Sequence, residues 1–196
     1  MEARFVMKRL FLVPLLFLSL TCFASIANGQ DDAKRDATRE KLRTLLETAG
    51  QRKDVNTTFK LATKNPYNFV GTMGDGMSFS HVDHLEIVIS VTKDDTIGFR
   101  VYPHYKGGYI NVDKAKDPLG FAKKLLVMSD RNFLYWGIDD EGDAFAAYTF
   151  TLESGFPSEA IIIVLRSIRN TDGFVGELRP FIDGNAAAPA TTHKGL

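Results

Sequence analysis

Between Val82 and Val101 the chain alternates apolar and polar side chains with a period of two. Leu85, Ile87, Ile89 and Val91 fall on one face, and His84, Glu86, Ser90 and Thr92 on the other, with Val88 the exception. That alternation predicts a strand over Val82–Thr92 with one face covered and one wet, the habit of an antiparallel sheet. Lys93 to Thr96 reads as a turn. Ile97, Phe99 and Val101, opposite Arg100 and Tyr102, predict the partner strand, which Pro103 is expected to end. A glycine-rich loop follows, then a short run at Tyr109–Val112. Upstream, Thr57–Leu61 and Tyr67–Met73 are rich in strand formers and are separated by Lys64-Asn65-Pro66, which predicts a hairpin. Downstream, Phe133–Ile138 and Asp143–Leu152 flank Asp139-Asp140-Glu141-Gly142, a second hairpin loop. In the later of these arms Ala144, Ala146, Tyr148, Phe150 and Leu152 share a face, opposite Thr149 and Thr151.

Four other stretches carry the helical period. Leu42, Leu45, Leu46 and Ala49 recur at i, i+3, i+4 and i+7, which predicts an amphipathic helix over Arg35–Ala49. Gly50 is placed to end it in the left-handed conformation. Asp117-Pro118 opens the next helix, since aspartate accepts from free amides and proline suits the first helical position. Its apolar stripe is read as Leu119, Ala122, Leu125 and Leu126, running to about Ser129. Ser158–Arg169 contains Ile161-Ile162-Ile163-Val164-Leu165, where β-branching lowers helix propensity. Length and flanks decide for a widely buried helix. Asp172–Ile182, with Phe174, Leu178 and Phe181 aligned, is the last. Strands with one wet face and helices grouped on the other define an α+β two-layer sandwich: an antiparallel β-sheet with helices packed on one face.

The first 29 residues lie outside this pattern. Lys8 and Arg9 precede an apolar run from Leu10 to Leu20, followed by the small residues Ala24, Ser25, Ala27 and Gly29. Such a succession reads as a secretory signal cleaved after Ala27 or Gly29. Two alternatives stand beside it: an uncleaved anchor, and a lipid-modified Cys22. The expected organisation is a signal over 1–29, one domain over 30–184 and a disordered tail over 185–196, with a periplasmic or secreted location. Cys22 is the only cysteine, so a cleaved chain has neither a thiol nor a disulfide.

Charge excludes one class of partner. The whole chain balances 24 basic against 24 acidic side chains, and removing Arg4, Lys8, Arg9 and Glu2 with the signal leaves 21 against 23, a net of −2. Nucleic-acid binding lacks the basic excess that phosphate neutralisation needs.

Candidate chemistry is sparse. His81, Asp83 and His84 open a strand whose alternation sends Asp83 and His84 to opposite faces, and with His104 and His193 they read as surface imidazoles rather than convergent ligands. Asp139, Glu141 and Asp143 alternate like a calcium loop, but Gly142 stands at the fourth place and no glutamate at the twelfth. Gly71-x-x-Gly74-x-Gly76 opens no helix and so lacks the amides that cradle phosphate. Trp136 beside Tyr135 reads as a core residue between sheet and helix, with an interface anchor as the other reading. No residue is assigned a catalytic, cofactor-binding or metal-binding role.

The succession Ser129-Asp130-Arg131-Asn132-Phe133, then Trp136-Gly137-Ile138-Asp139-Asp140-Glu141-Gly142-Asp143, then a strand, Gly155, Pro157 and a helix resembles the YbjN-like domain family. With the preceding helices and strands in matching order, the resemblance covers about Arg35 to Ile182. It implies a fold like that of type III secretion chaperones, often dimeric, and members described as sensory transduction regulators or chaperone-like proteins without catalytic residues. The signal and the longer segment Lys53–His81 depart from the simplest members. The expected function is a non-catalytic cell-envelope protein-binding module whose partner is another protein or a second copy, with no cofactor and no stable membrane insertion after signal cleavage. The alternative is a small-ligand binder or hydrolase with a pocket between sheet and helices.

Overall fold

The two strands that alternate most regularly pair with each other at the middle of the sheet. The computed structural model describes residues 32–184, so the expected signal and the expected tail lie outside the described residues. The strands are β1 (Lys60–Leu61), β2 (Asn68–Met73), β3 (His84–Val91), β4 (Thr96–Tyr105), β5 (Gly108–Tyr109), β6 (Tyr135–Ile138) and β7 (Ala144–Thr151). They form one seven-stranded sheet in the order β1-β2-β3-β4-β7-β6, with β5 paired to the far end of β4. Every ladder is antiparallel. Residues 32–50 form α1, and α2 (Pro118–Arg131), α3 (Ser158–Ser167) and α4 (Thr171–Asp183) complete the helices. The class is the expected α+β: an antiparallel sheet with helices alongside.

One apolar cluster joins sheet and helices. It takes Leu85, Ile87, Ile89 and Val91 from β3, Ile97, Phe99 and Val101 from β4, Leu42 and Leu46 from α1, Phe121, Leu125 and Met128 from α2, Ile161 and Leu165 from α3, and Val175 and Leu178 from α4. Each such side chain contributes about 1.5–3 kcal/mol on burial, so this face holds most of the stability. Trp136 belongs to the cluster at 5% exposure, edge-on to Phe174. It is a core residue.

Four readings of the sequence are corrected. Gly50 is the last helical residue of α1 and does not adopt a left-handed φ. Its lack of a side chain serves a close approach instead: a Cβ there would fall against the Thr57 carbonyl, and the Thr57 amide donates to the Gly50 carbonyl at 2.9 Å. Pro103 does not end β4. The β7 ladder stops at Val101 and the β5 ladder begins at His104, so the proline sits in the gap between the two. The first arm of the upstream hairpin shrinks to Lys60–Leu61. Finally, α3 is buried on one side only, through Ile161, Val164 and Leu165, while Ile163 is exposed.

A carboxylate ties α4 to the sheet. Asp172, in the first turn of α4, accepts backbone N–H bonds from Ser80 (3.0 Å), His81 (2.7 Å) and Val82 (3.0 Å). These amides immediately precede β3 and have no ladder partner there, and the anion also suits a helix N-terminus. Asp172→Ala is expected to lower unfolding stability by about 1.5 kcal/mol, the cost of stranding part-buried donors. Urea denaturation measures it, and an unchanged midpoint would show that water replaces the carboxylate.

Candidate protein-interaction surface

Helix α2 presents apolar residues on its outer side. Asp117 caps it by accepting from the Gly120 amide at 2.9 Å, Pro118 occupies its first turn, and the Asn132 side chain donates to the Met128 carbonyl at 2.8 Å to close its far end. Phe121, Leu125 and Met128 face the core. That corrects the predicted stripe, because Leu119 is 66% exposed and Leu126 71%. Leu119, Lys123, Leu126, Val127 and Asp130 are all exposed and lie at i, i+4, i+7, i+8 and i+11, a stripe along one side of the helix. Phe133, exposed and edge-on to Tyr148, follows the helix end, and exposed Tyr135 lies beyond it at the start of β6. Contiguous exposed apolar side chains with charged residues among them mark interaction sites.

The neighbouring sheet edge is engaged by α2 at Trp136. β6 ends the strand order, yet the Trp136 amide donates to Ser129 Oγ of α2 at 2.7 Å. The same hydroxyl lies 3.3 Å from the Trp136 carbonyl and 3.0 Å from that of Leu125. Helix α2 thus covers the edge and offers its apolar residues to solvent on its far side. Ser129→Ala is expected to cost about 1 kcal/mol and to speed hydrogen exchange of the Trp136 amide relative to its β6 neighbours. Unchanged protection would mean that the hydroxyl is dispensable.

The other face of the sheet carries a second, smaller packing unit. Phe145 (7% exposed) and Ala147 (1%) are buried but lie outside the main core cluster. Both occupy the register rows of the supposedly wet face, Arg100 opposite Ala147 and Val88 opposite Arg100. The Arg100 guanidinium stands 4.6 Å over the Phe145 ring, and Tyr102 packs 5.8 Å from both Phe145 and Tyr109. His84 and His104 pair across β3 and β4 and stack at 4.0 Å, with Tyr109 at 4.2 Å from His104. Tyr109 donates to Glu86 Oε2 at 2.9 Å, and His104 Nε2 lies 3.7 Å from that same oxygen. A groove of about 410 Å³ runs beside this unit, floored at Gly98 and flanked by Ser90, Thr149, Arg100 and Tyr135.

Burial sets the acid–base behaviour of this unit. It pushes the His104 imidazole below the ordinary histidine value, His84 adds to the shift, and Glu86 and Asp83 oppose it. Tyr109 is pushed up to about 12 by burial and by its bond to Glu86, and burial raises Tyr102 as well. Folding therefore favours neutral His104, so the unfolded chain binds more protons as pH falls through about 6.5. Stability is full above that pH and declines as pH drops toward the lower folded value. Urea midpoints measured against pH check this, and His104→Phe is expected to flatten the slope.

The residues read as candidates are thus distributed between structure and surface. His84 and His104 are stacked partners rather than separate surface imidazoles, while His81 lies against Gly176 of α4. The loop Asp139–Gly142 is a hairpin turn, closed by the Asp139 amide on the Asp143 carbonyl at 3.0 Å, with Gly142 at φ 82°. Among the described residues no group of three or more histidine, cysteine, aspartate or glutamate side chains is placed to hold a metal ion. None of the described helices is long and apolar enough to cross a membrane. Apolar side chains fill the space between sheet and helices, and a cleft of about 730 Å³ opens instead at the end of α1 against Thr57–Lys60 and β2.

Fold and surface together define an α+β sheet-and-helix protein in which Leu119, Leu126 and Val127 are exposed along α2. No family model matches the chain, and no curated protein matches it. Among solved structures, a chain in the crystal structure of the ExsC–ExsE complex is similar over 74% of this chain and 96% of that one, with 12% identity and a TM-score of 0.42.

Proposed function

We propose that this protein is a non-catalytic protein-binding module of the YbjN-like type, working in the cell envelope, and that the outer side of α2 is where a second copy docks. The observation that carries the reading is the exposed stripe of Leu119, Leu126 and Val127 on a helix whose opposite side is fully used by the core. The stripe is self-complementary. If two α2 helices cross antiparallel about an axis between Leu126 and Val127, Lys123 of each meets Asp130 of the other and Leu126 meets Val127, an isologous contact. The envelope location rests on the signal-like succession of residues 8–29, and the family reading on the order of turns and strands from Ser129 onward.

Sedimentation at several concentrations tests the docking. The expected result is a mass rising to twice that of the chain, reversed by a charge at Leu126. A strict monomer removes the second copy as partner. Cross-linking in envelope extract then decides the wider reading: a partner held by the parent chain and lost in Leu126→Asp supports it, and no capture by either sinks it.

A further inference from the structure

We propose that the ring of Tyr109 is held by a proton-operated latch, in which Glu86 binds Tyr109 while His104 is neutral and turns to His104 when that imidazole takes up a proton. The geometry puts one acceptor oxygen between two donors. Glu86 Oε2 takes the Tyr109 hydroxyl at 2.9 Å and stands 3.7 Å from His104 Nε2. That nitrogen is buried and has no hydrogen-bond partner. In the neutral tautomer that carries its proton on Nδ1, this nitrogen is an acceptor and has nothing to offer a carboxylate. As an imidazolium its N–H would become the stronger, charge-assisted donor to the same oxygen.

The surroundings allow that exchange without unfolding the sheet. β5 joins β4 through only two residue pairs, His104 with Tyr109 and Tyr105 with Gly108. Its turn is fixed independently: Lys106 and Gly107 both have positive φ, and Asp83 accepts the Gly107 amide at 2.7 Å. The charged and titratable groups facing the pair are Asp83, His84 and Glu86 on β3, Tyr102 on β4, Tyr109 on β5, and Asp143 near Tyr109. The nearby Lys106 is engaged with Asp183 at 2.7 Å. His84, stacked at 4.0 Å, works against a positive charge on His104, while Glu86 and Asp83 favour it. What moves is the Tyr109 ring, and its departure uncovers Tyr102, packed 5.8 Å from it.

NMR of the whole chain from about pH 8 to about pH 5, the range in which imidazole titrates, tests the latch. The expected result is a His104 ring titration below the ordinary histidine midpoint, with Tyr109 ring signals moving at the same midpoint. Glu86→Gln should abolish the Tyr109 response and shift His104 further down. His104→Phe should abolish the response while leaving the strand pairing intact. Tyr109 signals that stay fixed through the His104 titration, or that still move in His104→Phe, would overturn the proposal. If Glu86→Gln does not fold, the parent chain and His104→Phe still decide.

Discussion

Leu126→Asp leaves the chain folded and holds it monomeric at concentrations where the parent associates. The side chain is 71% exposed, so the core loses nothing and stability should change by no more than about 0.5 kcal/mol, as for ordinary surface positions. Association is different, because an isologous contact counts the change twice. Losing two leucine burials, at about 1.5–3 kcal/mol each, corresponds to roughly a hundredfold to twenty-thousandfold weaker self-binding, at about 1.4 kcal/mol per decade. Lys123→Glu is the informative companion: it should weaken the pair through its contact with Asp130, and Lys123→Glu with Asp130→Lys should restore it. Sedimentation reads both. Recovery in the double variant is what a chance hydrophobic contact would not produce.

Gly50→Ala is expected to destabilise the chain by about 2 kcal/mol although alanine is the better helix former. The helix gains up to about 1 kcal/mol from the exchange. Against it, the new methyl meets the Thr57 carbonyl, a backbone atom that cannot rotate away, and overpacking of that kind costs about 3 kcal/mol. The hydrogen bond from the Thr57 amide to the Gly50 carbonyl is strained by the same movement. Urea unfolding with an unchanged slope and a lowered midpoint is the predicted result. A more stable variant would mean that the loop after α1 shifts freely.

These two residues mark where the sequence pattern misleads, and the strands show where it holds. The alternation along β3 and β4 was legible because each strand has one face in the core, and period two then survives in the residue types. Helix positions were legible for the same reason at period 3.6. On α2 the sequence offers apolar residues on two sides, Phe121-Leu125-Met128 and Leu119-Leu126-Val127, and nothing local says which set the sheet will take. Gly50 was misread because a terminal glycine serves equally for left-handed φ and for a close approach, and the approach is made by a segment seven residues on. The His84–His104–Tyr109–Glu86 unit was invisible because its members meet through the pairing of three strands, which periodicity does not encode. A signal existed in hindsight: Phe145 and Ala147 break the polar alternation of β7 toward the face expected to be wet.

The Ser129 hydroxyl on the Trp136 backbone has a consequence for how large any assembly of this chain can grow. An unpaired strand edge behaves like a living end in addition polymerisation: each strand that joins presents a fresh edge, and growth has no natural stop. At one end of this sheet Ser129 acts as a chain terminator, and at the other β1 has only two residues with which to receive a newcomer. Contacts made through the outer side of α2 instead use up the surface that makes them. An assembly built through that side alone would stop at the pair, and concentration would fill pairs without seeding fibres.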